Sequence, residues 1–337
     1  MARVQYGVNV NTRVPVLYPE HYTAGDVVAL AERVEALGYD GVWVGDNFFA
    51  KGRLESIATL SAIAGRTSRV TLGTSALILP LRNTVWFAVS WATLDQLSRG
   101  RTIPNVCVGG GGAKLGGPLF AAEFDVAGVP YNRRGDVMDE QILLLRHLWT
   151  RPGEPYRGAF HAVPALSLSP LPHQRPAPPI WITNNPQLVE GLEPRVQERM
   201  LRRVARLADG WMTALATPDE FRQLWGRIVE YARELGRDPA TLTPAYQMTL
   251  TVADSRPAAE AEALEFVNRY YGTAYTSIRD SMWGRDPFGT PEQCVSAIRQ
   301  LVRAGVRSMT LRFASRDQVA QVERFTAECL PALRAGD

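Results

Sequence analysis

The sequence predicts an α/β protein that folds as a (β/α)8 barrel, a TIM barrel, with insertions after some of its strands. Short runs rich in β-branched and aromatic residues alternate with helical patterns along all 337 residues, and eight such runs occur. This alternation is typical of parallel strands joined by crossover helices. A barrel of this type needs ~250 residues, so the chain has room for insertions within one domain. We therefore predict a single domain over residues 1–337.

Each strand candidate is followed by a stretch in which apolar residues recur on one helical face, as at Val27, Leu30 and Val34. The joins before the second, sixth and eighth candidates place a glycine just before the strand, where it can end a helix in the left-handed conformation. The candidates are VQYGVNV from Val4, GVWVGD from Gly41, VTLGTSALI from Val70, TIPNVCVG from Thr102, PIWITN from Pro179, GWMTALA from Gly210, PAYQMTLTV from Pro244 and RSMTLRFA from Arg307.

Three segments rich in glycine and proline are predicted insertions, at about 111–131, 150–178 and 272–289. Segments that follow strands in a barrel would roof its active site. The competing fold is a doubly wound sheet that binds a nucleotide at a glycine-rich turn. The run from Gly109 to Gly112 follows a strand, but Lys114 or Leu115 stands where GxGxxG requires a third glycine. The pattern therefore favours the barrel.

Composition and charge exclude several classes of function. The chain is 46% hydrophobic with a net charge of +3, too close to balance to predict a nucleic-acid or membrane partner. No apolar run is long enough for a membrane span or typical of a signal peptide, so we expect a cytoplasmic protein. The three cysteines and four histidines show no metal-ligand spacing, and no metal site is predicted.

Side chains expected at the carboxyl ends of the strands are mostly neutral and polar. Such residues suit the binding of an organic cofactor that carries out the reaction itself. The two exceptions are Asp46 and Arg312. The neutral residues are Asn9, Asn11, Asn47, Ser75, Asn184, Asn185, Thr213 and Gln247.

The stretch from Arg69 to Gly111, RVTLGTSALILPLRNTVWFAVSWATLDQLSRGRTIPNVCVGGG, resembles the bacterial luciferase-like monooxygenase superfamily. Further similarity lies in ALGYDGVWVGDNFF, RVARLADGWMT and GTPEQCVSAIRQLVRAGVRSMTLRF. The resemblance implies a barrel with a flavin or deazaflavin ring at its carboxyl-terminal mouth. It also implies a cis peptide between Ser75 and Ala76, against the ring, and a flavin-facing thiol at Cys107. The alternatives are an ordinary trans strand and a buried structural cysteine.

The family's next residue, an arginine that binds the flavin phosphate, is replaced here by Val108. The resemblance transfers phosphate binding to Asn184 and Asn185, with charge added by Arg202 or Arg203. A plain turn before a proline is the alternative for the asparagine pair.

The family's catalytic histidine after the second strand is also missing, and Asp46 and Asn47 stand there instead. We expect Asn47 to hold substrate or cofactor by hydrogen bonds. Asp46 is either catalytic or a structural cap.

The resemblance implies a monooxygenase that uses reduced FMN and O2 to oxygenate a small organic substrate, with the FMN supplied by a separate flavin reductase. The first alternative is hydride transfer through a deazaflavin. The second is a non-catalytic flavin-binding protein. The sequence leaves the substrate open, and it leaves open whether the chain forms a homo-oligomer.

Overall fold

Eight parallel strands form the centre of the molecule. The computed structural model describes residues 3–109, 113–189 and 191–335. All eight predicted strands are present, although two of them are interrupted. The strands are β1 (Gln5–Asn9), β2 (Gly41–Val44), β3 (Thr71–Thr74, resuming as Leu77–Ile78), β4 (Thr102–Ile103 and Asn105–Cys107), β5 (Trp181–Thr183), β6 (Gly210–Ala214), β7 (Thr243–Val252) and β8 (Ser308–Phe313).

The strands close into a ring. Strand β1 pairs in parallel with both β2 and β8, and the ladder continues from β2 through β3 to β4 and from β8 through β7 and β6 to β5. The two arms meet where Asn105 of β4 lies beside Trp181 of β5. The predicted TIM barrel is therefore confirmed.

The interruption in β4 has a local cause. Pro104 has no N–H to donate to a strand ladder, and the flanking Asn105 instead bonds to a side chain of β3. The Asn105 N–H donates to Thr74 Oγ1 at 3.1 Å, and the Thr74 hydroxyl donates to the Asn105 carbonyl at 2.8 Å. These two bonds hold β3 and β4 together at the interruption.

Eight helices surround the strands and cover their outer faces. Several begin at proline, and α6 begins with a capping box in which Thr217 and Glu220 exchange hydrogen bonds. No helix in the described ranges is long and apolar enough to cross a membrane. The barrel helices are α1 (Ala24–Ala36), α2 (Ser56–Ala64), α3 (Thr84–Ser98), α4 (Arg134–Thr150), α5 (Pro194–Leu207), α6 (Pro218–Glu234), α7 (Pro291–Ala304) and α8 (Gln318–Glu328).

Additional elements lie between the repeating units. A helix at Ala113–Val126 occupies most of the first predicted insertion, which the sequence pattern had marked as lacking a clear period. A helix at Arg256–Tyr271 and a two-residue strand at Phe288–Gly289 flank the third insertion. Short helices and 3-10 turns complete the chain at Val14–Leu17, Leu79–Leu81, Tyr131–Arg133, Pro186–Leu188, Pro239–Thr241, Ile278–Asp280 and Leu330–Arg334.

The middle insertion differs from the prediction because it follows helix α4 rather than a strand. Its hairpin, Tyr156–Arg157 with Ala162–Val163, lies beside the start of helix α3, where His161 Nε2 and Thr84 Oγ1 are 3.0 Å apart. The buried Glu140 of α4 holds it there by accepting hydrogen bonds from the backbone N–H groups of residues 159, 160 and 161 at 2.6, 2.9 and 2.7 Å. The prediction that this insertion follows a strand is therefore wrong, because the segment begins where helix α4 ends.

Two tryptophans fill the bottom of the barrel interior. The rings of Trp43 and Trp181 stack with their centroids 5.3 Å apart, next to Met212. Glycine is required beside them, because a Cβ on Gly73 would stand 2.3 Å from the Trp43 ring and one on Gly210 would stand 2.6 Å from Trp181. This layer closes the interior below the strand ends, so a ligand can reach the polar interior residues only from the mouth.

Candidate functional site at the barrel mouth

The β3 to β7 side of the mouth presents an uncharged surface. Most strand residues of the barrel are buried, but several residues near the strand ends are partly exposed. We call five of them the neutral surface: Ser75, Ala76, Cys107, Thr183 and Gln247. None of them carries a charge at neutral pH, and their exposure shows that the interior is accessible here.

The peptide between Ser75 and Ala76 is cis, as the family resemblance implies. The Ser75 N–H donates to the Val44 carbonyl at 2.7 Å, which ties the break in β3 to strand β2. The Ser75 hydroxyl bonds to the Gln247 side chain of β7 on the other side of the barrel. Contact of this peptide with a cofactor ring stays a prediction.

Cys107 lies at the end of β4 among apolar side chains, including Ile78, Phe48 and Phe124. Burial, with a smaller contribution from the negative charge of Asp46, raises the pKa of the Cys107 thiol to about 12. The side chain is therefore a neutral thiol near pH 7. This state suits packing against a flat ring, whereas nucleophilic catalysis requires a thiolate.

Asp46 is a buried carboxylate with several partners in the fold. Its Oδ1 accepts from the Ser56 hydroxyl at 2.6 Å and pairs with Arg82 at 2.5 Å, and its Oδ2 accepts from the Ile78 N–H at 3.0 Å. These contacts tie β2 to β3 and to helix α2. Of the two roles that the sequence leaves open, the geometry favours the structural one.

Asn47 contacts a residue that the sequence did not single out. Its Nδ2 lies 3.4 Å from Oε2 of Glu123, a residue only 2% exposed on the helix Ala113–Val126. Glu123 Oε1 also accepts from the backbone N–H groups of residues 48, 49 and 50 at 3.1, 2.6 and 2.9 Å. We call this arrangement the Glu123 clamp. It fixes the loop after β2 and the position of Asn47, and no local motif signals it because the partners are over 70 residues apart.

The two asparagines after β5 are both engaged in the fold. Asn184 accepts from Trp211 Nε1 at 3.0 Å and donates to the Met200 carbonyl at 3.1 Å. Asn185 Oδ1 accepts from the Thr213 hydroxyl at 2.9 Å and from the N–H of residue 214 at 2.8 Å. The pair therefore positions the ends of β5 and β6. The Asn185 amide nitrogen is left for a ligand, while both ends of the Asn184 amide are used.

The structure does not bring Arg202 to the mouth. Arg202 pairs at 2.7 Å with both Glu198 and Glu234, and Glu234 is the last residue of α6, at the far end from the mouth. Arg203 is buried against Asp139. A phosphate-binding role for Arg202 has no support in this geometry. The sequence pattern could not show which way the side chain points.

Arg134 is a cation closer to the end of β4. Its Nε lies 3.4 Å from the carbonyl of Gly109, the first residue of the glycine-rich turn; Gly110 to Gly112 lie outside the described residues. The guanidinium also covers the ring of Tyr131 at 3.9 Å. Arg134 can thus contact an anionic cofactor tail that leaves the mouth beside β4.

The β8 to β2 side of the mouth is charged. Arg312 of β8 is 7% exposed and lies level with Thr249 of β7, whose N–H donates to Asp286 Oδ2 at 3.2 Å. Burial raises the pKa of Asp286 to about 7, although the Thr249 amide and the charge of Arg312 oppose the rise. Perturbed carboxylates of this kind cluster at functional sites. The sequence analysis had placed Asp286 inside an insertion and gave it no role.

The neutral surface fits a planar isoalloxazine or deazaflavin ring. Such a ring needs an accessible and weakly polar face to lie against, and the small residues at Ser75, Ala76 and Cys107 supply one. The Thr183 hydroxyl donates to Asn105 Oδ1 at 2.9 Å, and Gln247 Oε1 accepts from the Ser75 hydroxyl, so the fold fixes the polar groups at the ring edge. Bound there, the ring would supply the redox chemistry, while the protein would supply its orientation.

Residues 4–308 match the family model described as luciferase-like monooxygenase. An F420-dependent glucose-6-phosphate dehydrogenase from Amycolatopsis mediterranei is 25% identical over 347 residues, covering 94% of this chain and 96% of that protein. A solved F420-dependent secondary alcohol dehydrogenase in complex with an F420-acetone adduct has a TM-score of 0.77 at 21% identity, covering 98% of this chain and 99% of that one. Monooxygenase RslO1 from Streptomyces bottropensis has a TM-score of 0.75 at 20% identity, covering 97% and 99%.

The two solved structures share the barrel fold with this chain, and the family match extends over most of its length. The mouth geometry, with an accessible neutral surface beside charged groups, agrees with that match. The chain belongs to the luciferase-like monooxygenase family and is an oxidoreductase.

Proposed function

We propose that this oxidoreductase uses the deazaflavin F420 to transfer a hydride to or from a small organic substrate. The observation that carries the proposal is the neutral surface, which is open at Ser75, Ala76 and Cys107. It occurs in a chain whose similarity to F420-dependent dehydrogenases covers 94% of its length. Arg134, beside the Gly109 carbonyl, supplies a cation for the anionic tail that F420 carries.

In this proposal each half of the mouth has its own task. The neutral surface holds the ring, and the Glu123 clamp fixes the position of Asn47 in the loop after β2. Asp286 exchanges the hydroxyl proton of an alcohol substrate. The proton is held on Oδ1 of Asp286, because Oδ2 is bonded to the Thr249 amide. A carboxylate with a pKa of about 7 can exchange that proton at neutral pH.

Equilibrium binding of F420 and FMN tests the cofactor. We expect F420 to bind the purified chain more tightly than FMN, and Ala76→Leu to weaken both because its longer side chain fills the surface for the ring. Arg134→Gln should weaken F420 by about tenfold and leave riboflavin, which has no anionic tail, unchanged. The matched control is Arg195→Gln, at an arginine whose side chain is 84% exposed. Tighter binding of FMN than of F420 would overturn this cofactor assignment.

The second candidate is the FMN-dependent monooxygenase, which the family match over residues 4–308 favours. It would take reduced FMN from a separate reductase and consume O2 while oxygenating its substrate. Aerobic turnover with reduced FMN, followed with an oxygen electrode, separates the two. We expect no substrate-dependent O2 uptake if the F420 proposal holds. For both candidates we expect a cytoplasmic enzyme. The three cysteines of the chain are free thiols.

A further inference from the structure

We infer that the β8 to β2 side of the mouth binds an organic oxyanion, a carboxylate or phosphate group of the substrate. The site consists of Arg13, Lys51, Arg53 and Arg312, which surround the ring of Tyr270 or of Tyr271. We call these four residues the cation cluster. The inference rests on the proposed function only in assigning the anion to the substrate.

Buried donors without partners are the first observation. Arg312 donates from Nη1 to the Tyr271 hydroxyl at 2.7 Å, but its Nε and Nη2 are buried and have no hydrogen-bond partner among the described residues. Three more buried donors have no hydrogen-bond partner among the described residues: Nε and Nη1 of Arg13 and Nδ2 of Asn11. Buried polar groups are almost always paired in folded proteins, and an unpaired charged donor is the most costly case. Five such donors near the ends of β8 and β1 indicate a ligand that accepts hydrogen bonds.

The cluster carries a net positive charge. In the described part of the chain, none of its four cations forms an ion pair with a carboxylate. Burial and the neighbouring Arg13 lower the pKa of Lys51. Burial would raise the pKa of Tyr270, yet Arg53, Arg312 and Arg13 together bring it below its ordinary value. The charge of Asp286 also acts on Arg312, but one carboxylate cannot balance four cations.

An aromatic wall fixes the geometry of the cluster. The Tyr271 and Trp283 rings stack at 4.1 Å, and the Tyr270 and Tyr271 rings lie 4.6 Å apart. The guanidinium carbons of Arg13, Arg312 and Arg53 lie 5.1, 5.5 and 6.0 Å from the centre of the Tyr270 ring. Guanidinium groups ordered in this way match the paired oxygens of carboxylate and phosphate groups. The wall also gives an apolar surface to the carbon skeleton that carries the anion.

The position of the cluster favours the substrate over the cofactor tail. The Arg53 guanidinium lies against Gly45 just beyond the end of β2, so closely that a Cβ there would meet its Nη1 at 2.1 Å. Strand β2 adjoins β3, which carries the Ser75 and Ala76 part of the neutral surface. A substrate held by its anion at the cluster therefore extends toward a ring on that surface. The cation beside β4, Arg134, remains for the cofactor.

Calorimetric titration with inorganic phosphate, and separately with benzoate, tests the site in the full chain without cofactor. We expect saturable binding that sodium chloride at equal ionic strength does not reproduce. Arg312→Gln and Arg13→Gln should each weaken it by about tenfold or more. The control Arg222→Gln removes a charge from an arginine 58% exposed on α6 and should have no effect. Because Arg13 is only half-buried, its variant keeps the test valid if Arg312→Gln does not fold.

Two results would overturn the inference. One is failure of the anion titrations. In that case either the parent protein binds neither probe more tightly than chloride, or the variants at Arg312 and Arg13 bind both probes as the parent does. The other is a loss of F420 affinity in Arg13→Gln as large as the loss of phosphate affinity, which would assign the cluster to the cofactor tail. Since the anion titrations contain no cofactor, failure of the F420 proposal would leave their result intact.

Discussion

Replacing Asp286 by asparagine should stabilise the protein at alkaline pH and leave its stability unchanged in acid. Burial raises the pKa of Asp286 in the folded state from an ordinary value of 3.8 to about 7. The folded state therefore binds a proton that the unfolded state releases between these two values. The contribution of Asp286 to stability is fully present below about pH 4 and is lost as the pH rises to about 7.

The size of the effect follows from the two pKa values. Each pKa unit corresponds to about 1.36 kcal/mol, so a rise from 3.8 to about 7 corresponds to ~4 kcal/mol. Asparagine has nearly the same shape, stays neutral and can still accept the Thr249 amide. Asp286→Asn should therefore match the parent near pH 4 and exceed its free energy of unfolding by up to ~4 kcal/mol near pH 8.

Urea unfolding followed by tryptophan fluorescence, at a series of pH values, measures this difference. Subtracting the parent's free energy of unfolding from the variant's at each pH cancels the contribution of the other carboxylates. Asp280→Asn, at an exposed position in the same segment, serves as the control for the loss of a carboxylate. A difference between Asp286→Asn and the parent that stays constant from about pH 4.5 to 8 would refute the assignment of a raised pKa.

Three further predictions concern the barrel interior and the mouth. Gly73→Ala should destabilise the fold by ~2 kcal/mol or more in thermal melts, because the new Cβ would stand 2.3 Å from the Trp43 ring. The control Gly226→Ala, on the open face of α6, should stabilise the fold by ~0.5–1 kcal/mol. Cys107, with a pKa of about 12, should react with iodoacetamide at pH 8 more slowly than free cysteine by about tenfold or more; equal rates would contradict its burial as a thiol. Glu123→Gln should speed deuterium exchange of the amides of residues 48–50, whereas unchanged exchange would show that the loop holds itself.

The sequence predicts the barrel well because the fold depends on local periodicity. The eight strand runs and the glycines before three of them are legible residue by residue, and all eight strands are present. The cis peptide at Ser75 and Ala76 could be predicted from family resemblance alone.

The site is less predictable because its residues meet through tertiary contacts. Arg202 and Arg203 are adjacent in sequence, yet one faces Glu234 and the other Asp139. Their directions depend on how α5 packs, which periodicity does not specify. Arg13 and Arg312 are ~300 residues apart and converge only because β1 and β8 close the ring.

Because the Glu123 clamp holds residues 48, 49 and 50 by their backbone amides, these three hydrogen bonds do not depend on the side chains at those positions. Phe49 is 63% exposed, whereas Phe48 packs beside Cys107 and lies under the Arg82 guanidinium, 4.5 Å from the centre of the Phe48 ring. Side chains at these positions can therefore change, and substrate specificity with them, while the backbone hydrogen bonds to Glu123 remain. A library that randomises residues 48–50 while keeping Glu123 should retain the native backbone there, which makes this segment the natural place to retarget the enzyme.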